Sequence, residues 1–175
     1  MASRAVVEEK PSDEQWQDLC DEFGRPRKIR KTWDLRHLNP RAGWSPCAGE
    51  VMLLVKRRNG AVAYVSRRGC EDDWFLPMGR IGPAEPIAKA AKREAYEETG
   101  LSVTIESVPA IYLVDIHFKE WRLVRWHFLV RARSASARVR PIDADEIGSA
   151  GFFPEPQFNG SAYMRRWMSS ILRYS

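Results

Sequence analysis

Apolar side chains run almost unbroken through Val51-Met52-Leu53-Leu54-Val55 and again through Ala61-Val62-Ala63-Tyr64-Val65. Short apolar runs bounded by turn residues predict two strands, over Glu50–Lys56 and residues 61–66. Asn59-Gly60 between them is a strong hairpin signal. A second hairpin is predicted from residues 111–118 and 122–130. There Val124, Trp126, Phe128 and Val130 would point one way, and Leu123, Arg125, His127, Leu129 and Arg131 the other. Residues 101–105 read as a further strand. The period changes to helical spacing elsewhere. Over residues 12–23, Trp16, Leu19, Cys20 and Phe23 make a stripe, Ser12 and Gln15 a capping-box pattern, and Gly24 a stop. Residues 86–99 are rich in alanine, with Pro86 suited to the first helical position and Gly100 to the left-handed closing one. Phe152-Phe153-Pro154 leads to a last helix from about residue 160, whose apolar stripe is Met164, Trp167, Met168 and Ile171. Residues 1–10 are expected to be disordered. Strands and helices alternating around a mixed sheet place the chain in the α/β class.

The helix over 86–99 holds an electrostatic anomaly. With Glu94 set at zero, a step of about 100° per residue puts Glu98 near +40° and Glu97 near −60°. Ile87, Ala90 and Ala91 share that side, while Lys89, Lys92 and Tyr96 fall opposite. An ordinary solvated face would interleave Glu and Lys at i,i+4, and only Arg93 with Glu97 does so. Carboxylates at this spacing repel by roughly 0.2–0.5 kcal/mol per pair even when exposed. Burial raises the cost, because desolvation disfavours the charged form. A hard divalent cation removes both penalties, and Mg²⁺ binds one or two carboxylates together with substrate phosphates. Glu94, Glu97 and Glu98 are therefore candidate metal ligands.

Residues 79–101 read Gly79-Arg80-Ile81-Gly82-Pro83-Ala84-Glu85-Pro86-Ile87-Ala88-Lys89-Ala90-Ala91-Lys92-Arg93-Glu94-Ala95-Tyr96-Glu97-Glu98-Thr99-Gly100-Leu101. They resemble the Nudix box, G-x5-E-x7-R-E-U-x-E-E-x-G-U with U apolar. Gly79, Glu85, Arg93, Glu94, Glu97, Glu98, Gly100 and Leu101 match, with a small Ala95 at the first U. Trp74-Phe75-Leu76-Pro77 looks like the family's lead-in. Met78 departs from the glycine or lysine of many members, and Gly82 and Ala84 replace the Glu and Gly often seen in the loop.

The resemblance implies a Nudix-type α/β/α sandwich with a mixed β-sheet and the box as a loop–helix–loop at the cleft. It would occupy residues 44–175, after an extension over 1–43 made of a short helix and a basic arm. The implied reaction is Mg²⁺-dependent hydrolysis, with Mn²⁺ as a substitute, of a pyrophosphate bond in a nucleoside diphosphate linked to another group. An RNA 5′ end, a dinucleoside polyphosphate or an inositol pyrophosphate are alternative substrates. A nucleotide-sensing module without catalysis is the non-enzyme alternative, and the retention of Glu94, Glu97, Glu98 and Arg93 speaks against it. On the same resemblance Glu94, Glu97 and Glu98 hold the metal, with the Met78 carbonyl and Glu85 as further contacts. Arg93 orients the cluster and Gly79 lets the backbone turn tightly. Glu94 is one candidate base. Outside the box the candidates are Glu146 and Glu120, then Asp143 and Asp145. Homodimers are common among such proteins.

Composition narrows the setting. With 175 residues, 44% of them hydrophobic, the chain can build one proper core. No apolar run approaches the roughly 20 residues needed to cross a membrane. Glu8, Glu9, Lys10 and Asp13 stand where a signal peptide would be apolar. Cys20, Cys47 and Cys70 are odd in number and lack C-x-x-C spacing, which argues against a disulfide framework or a zinc site and suggests a reducing cytoplasm. A net charge of +5 favours an anionic partner, a nucleotide or a polyphosphate. Five of the seven residues in Arg25-Pro26-Arg27-Lys28-Ile29-Arg30-Lys31 are basic, a solvated arm or a contact to a nucleic-acid backbone. Arg125 and His127, projecting together, are candidate phosphate or base contacts. Trp74, Trp121 and Trp126 are candidates to stack on a nucleobase, although buried tryptophan is usually core.

Overall fold

The alternation in the second hairpin organises the molecule. In the computed structural model, which describes residues 5–38, 47–70, 72–136, 138–157, 167–169 and 171, that hairpin is the longest pair of strands. The strands are β1 (Ala5–Glu9), β2 (Arg27–Asp34), β3 (Glu50–Lys56), β4 (Val62–Arg67), β5 (Trp74–Phe75), β6 (Met78–Arg80), β7 (Thr104–His117), β8 (Trp121–Arg133) and β9 (Ile147–Phe153). Helix α1 spans Asp13–Phe23 and α2 spans Ile87–Thr99. They form one mixed sheet in the order β2-β7-β8-β3-β4-β5, with β1 on β8, β6 on β3 and β9 on β4. β2 runs parallel to β7, and β1 and β3 parallel to β8; the remaining pairs are antiparallel.

On β8, Leu123 and Leu129 enter one core with Met52, Leu54, Tyr112 and Val114, covered by the helical residues Trp167, Met168 and Ile171. Phe128 and Val130 enter the other, with Val51, Leu53 and Val55, under Ile87, Ala90, Ala91 and Ala95 of α2 and Leu19 of α1. Each fully buried aliphatic side chain contributes roughly 1.5–3 kcal/mol, so two continuous cores hold the layers on both faces of the sheet. The expected α/β/α layering is present.

Several elements differ from the sequence expectation. Residues 5–9 form a strand, because β1 finds an open edge beside Trp121–Arg125 of β8. The basic segment is a strand rather than an arm: β2 pairs with residues 110–117 of β7. Its Ile29 and Trp33 pack on the core, and the Lys28 ammonium sits 4.5 Å and 4.6 Å from the ring centroids of Trp16 and Trp126. The Asn59-Gly60 turn forms, with Gly60 at φ 86, but β3 and β4 are paired only at Lys56 and Val62. They part because β3 is taken by β8 and β6, and β4 by β9 and β5. β9 is a strand with no counterpart in the sequence expectation, and β7 starts at Thr104 rather than residue 101. Pro86 precedes α2 as its N-cap, since its ψ of 136° is extended. The 43/44 boundary and the start of the last helix, Met164 included, lie outside the described residues. Among the described residues no helix is long and apolar enough to cross a membrane.

Candidate active site

Helix α2 presents the face that the angular spacing predicts. Lys89, Lys92 and Tyr96 are exposed, while Glu94 and Glu98 are 9% and 5% exposed. Gly100, at φ 68, closes the helix by giving its N–H to the Tyr96 carbonyl at 2.7 Å. The short strand β6, paired on Glu50, Val51 and Met52 of β3, lies against this face. The Met78 N–H donates to Glu98 Oε2 at 2.8 Å.

Gly79 serves a different purpose from the tight turn expected of it. Its φ is not in the left-handed region, and it lies within β6. A Cβ there would fall 2.0 Å from the Glu94 carboxyl carbon, so only glycine leaves room for that carboxylate.

Arg93 ties the acidic residues together. Its Nε donates to Glu85 Oε1 at 2.9 Å and its NH2 to Glu85 Oε2 at 3.0 Å. NH1 reaches Glu94 at 2.7 Å and Glu97 at 2.9 Å, and NH2 also reaches the Arg80 carbonyl at 2.8 Å. Glu85 Oε2 accepts the Gly82 N–H as well, at 2.9 Å. Its oxygens are thus directed to Arg93 and the box loop. The Arg93 hydrogen bonds hold the Glu85 carboxyl below its usual range.

The buried glutamates behave oppositely. Burial pushes Glu94 up, against the pull of Arg93 and with the charges of Glu97 and Glu146 adding. Burial also pushes Glu98 up to about 9; the Met78 N–H opposes this, and Glu94 and Glu146 reinforce it. Carboxylates raised by burial and by one another lack a full complement of positive charge. Hard oxygen donors in that condition fit a hard divalent cation. Among the described residues no three carboxylate, imidazole or thiol groups already converge on one point, and Arg93 stands between Glu94 and Glu97.

The cleft beside this helix has a volume of about 410 Å³ and is lined by Glu50, Arg67, Met78, Gly79, Arg80, Arg93, Glu94, Glu97 and Glu146. Of the residues singled out in the sequence, Met78, Gly79, Arg93, Glu94, Glu97 and Glu146 meet there. Glu146 comes from the turn before β9, whose Asp143 side chain accepts the N–H of Asp145 and of Glu146 at 3.2 Å. Asp145 turns to Arg68, and Glu120 sits in the exposed turn between β7 and β8.

Arg125, His127 and Trp74 are not brought into the lining. Arg125 is 7% exposed, and its guanidinium is held by Glu9 and Glu50. His127 Nδ1 lies 3.2 Å from Glu50 Oε2, with the rings of Trp33 and Trp167 alongside. Both residues stand behind Glu50, which does line the cleft. Burial opposes ionisation of Glu50, yet His127, then Arg125 and Arg80, hold it below the usual carboxylate range. Trp74 packs edge-on against Phe153 at 4.8 Å, Trp121 stacks on Phe118, and Trp126 meets Trp16. Sequence reasoning missed Glu50, Arg67 and Arg80. Glu50 carries a faint signal, a carboxylate in register with inward-facing Met52 and Leu54.

Known proteins resemble this chain in sequence and in fold. The 8-oxo-dGDP phosphatase NUDT18 of Homo sapiens is 32% identical over 88 residues, 50% of this chain and 26% of that protein. An RNA pyrophosphohydrolase of Rhodopseudomonas palustris (strain ATCC BAA-98 / CGA009) is 36% identical over 72 residues, 38% of this chain and 39% of that one. The match thus spans well under half the length of either curated relative. The crystal structure of the MutT protein from Methanosarcina mazei Go1 superposes with a TM-score of 0.53 at 16% identity, over 85% of this chain and 95% of that one. A UDP-X diphosphatase gives 0.52 at 17% identity, over 78% and 68%. These two structures show the shared fold. The NUDIX domain family model matches residues 36–174, a span holding the box helix, its cradle and the Glu146 turn, and the chain belongs to the Nudix family.

Proposed function

We propose that this chain hydrolyses a pyrophosphate bond in a nucleoside diphosphate linked to another group, with Mg²⁺ as its cofactor and Mn²⁺ as a substitute. The observation that carries this reading is the buried pair Glu94 and Glu98, one cradled by Gly79 and the other capped by the Met78 N–H. Nudix hydrolases generally use divalent metals. Glu94 and Glu97, which line the cleft, and Glu98, buried beside it against Met78, are the proposed ligands, with the Met78 carbonyl as a further contact. Ligation by Glu94 and Glu97 competes with their ion pairs to Arg93, which keeps both carboxylates in place until metal arrives. A divalent cation supplies charge neutralisation at the non-bridging phosphate oxygens and lowers the pKa of bound water. Glu146, across the cleft from α2, takes the proton of the attacking water, with Glu94 the other candidate. Arg67 and Arg80, both lining the cleft, meet the anionic substrate.

The relatives support pyrophosphate chemistry, one named for 8-oxo-dGDP and one for RNA. The RNA 5′-end reading gains from the positive charge of β2, which carries Arg27, Lys28, Arg30 and Lys31. Free thiols at Cys20, Cys47 and Cys70 support a cytoplasmic setting. The deciding experiment is a Mg²⁺ and Mn²⁺ hydrolysis screen. It spans nucleoside di- and triphosphates, 8-oxo-dGDP, nucleotide sugars, ADP-ribose, dinucleoside polyphosphates and triphosphorylated RNA, with products identified by mass. Glu98→Gln should lower turnover by at least about a hundredfold while the protein stays folded. Near-normal turnover in that variant overturns the ligand assignment.

A further inference from the structure

Glu9 is 1% exposed, and it lies at the end of β1, outside the span that matches the family. Burying a carboxylate costs several kcal/mol unless it is paired, and this one is paired with two arginines, with the Cys47 thiol beside it. Its Oε2 accepts from Arg125 Nε, and its Oε1 lies 3.1 Å from Arg80 NH2. The two arginines lead to adjoining parts of the cleft lining, since Glu50 is the cross-strand partner of Arg80. Arg125 passes its NH1 to Glu50. Arg80 belongs to β6, whose three residues each hold one part of the box. The Arg80 carbonyl accepts from Arg93, Gly79 leaves room for Glu94, and the Met78 N–H caps Glu98.

The geometry points to Glu9 as a positioning residue for hydrolysis: set between Arg80 and Arg125, it fixes strand β6 and Glu50 at the cleft. It does not itself line the cleft, so it acts through the two arginines. A merely structural Glu9 would staple β1 to β8 and affect stability alone. A positioning Glu9 also changes turnover, because small displacements of reacting groups are costly.

This inference rests on the pyrophosphohydrolase reading, and its test separates the two. Wild type, Glu98→Gln, Glu9→Gln, Glu9→Asp and Glu8→Gln are compared by thermal unfolding, steady-state kinetics and amide hydrogen exchange. Glu8 is an exposed neighbour, paired with Lys10 at 3.5 Å, and its variant should match wild type. Glu9→Gln should lower kcat about tenfold with KM changed less than about threefold. Its amides at residues 78–81 should exchange faster than in wild type, while the centre of the β7–β8 hairpin is unchanged. Glu9→Asp should recover part of both losses, and it carries the same comparison if Glu9→Gln does not fold. A folded Glu9→Gln with wild-type kcat and wild-type exchange through β6 overturns the inference, as does faster exchange spread evenly over the sheet. If wild type hydrolyses nothing, the pyrophosphohydrolase reading falls. Exchange at β6 then still decides whether Glu9 sets that strand.

Discussion

At the scale of single residues, glycine and glutamate at the cleft are two halves of one device. Gly79 is defined by what it lacks, because a methyl group there would occupy the Glu94 carboxylate's position. The obstacle is the flexible end of a side chain, so Gly79→Ala should leave folding nearly intact. It should displace Glu94 and lower kcat by roughly tenfold or more. Parallel thermal unfolding and kinetics check this, and a large drop in melting temperature with unchanged kcat would contradict it. Ala84 is the opposite case, a non-glycine residue at φ 58 in the box loop, where the sequence departs from the glycine often seen. An L-residue in that conformation costs about 1–2 kcal/mol, so the departure is one of stability rather than chemistry. Arg93 could be assigned from the box alone, but its full set of partners could not. Glu85 and the Arg80 carbonyl come within reach only once the loop has folded back on α2.

Among elements, those with a local code were the legible ones. α1 has its capping box, since Gln15 N–H reaches Ser12 Oγ at 3.2 Å and Ser12 N–H reaches Gln15 Oε1 at 2.9 Å. α2 has its wheel of small apolar residues, and the β7–β8 hairpin its alternation. β1, β2 and β9 were not legible, because parallel or distant partners recruit them: β1 and β8 meet across more than a hundred residues. The same divide explains the cleft, where the box side was readable and Glu50 and Arg67, brought to it by β3 and β4, were not. α1 has a further role at the site. Gln15 Nε2 donates to the Glu85 carbonyl at 2.6 Å and stands 3.4 Å from that of Gly82, holding the loop that brings Glu85 to Arg93. Gln15→Leu removes half the capping box and both loop contacts. It should cost about 1–3 kcal/mol in denaturant unfolding, and a change under a few tenths would show that the loop holds itself.

Over the whole molecule, the buried acid makes stability depend on pH in an unusual direction. Glu98 is raised from 4.5 to about 9 in the folded protein. Between those values the folded chain keeps a proton that the unfolded chain releases. The contribution of Glu98 to the stability of the metal-free protein is therefore full below about pH 4.5 and is lost as pH climbs toward 9. Saturating Mg²⁺ should flatten the decline by taking the proton's place. Melting temperatures from about pH 5 to 9, with chelator and with Mg²⁺, provide the check; a melting temperature that rises with pH under chelation would refute it. The outer sheet edge carries a different consequence. Among the described residues β2 ends the strand order, and an end strand presents its backbone to any second sheet. Here that edge bears Arg27, Lys28, Arg30 and Lys31. Two copies approaching edge to edge would bring these cations together, so the charge that suits a polyanion also discourages the fibrillar self-assembly that bare edges invite. That safeguard weakens as added salt shortens the reach of charge to about 3 Å at 1 M.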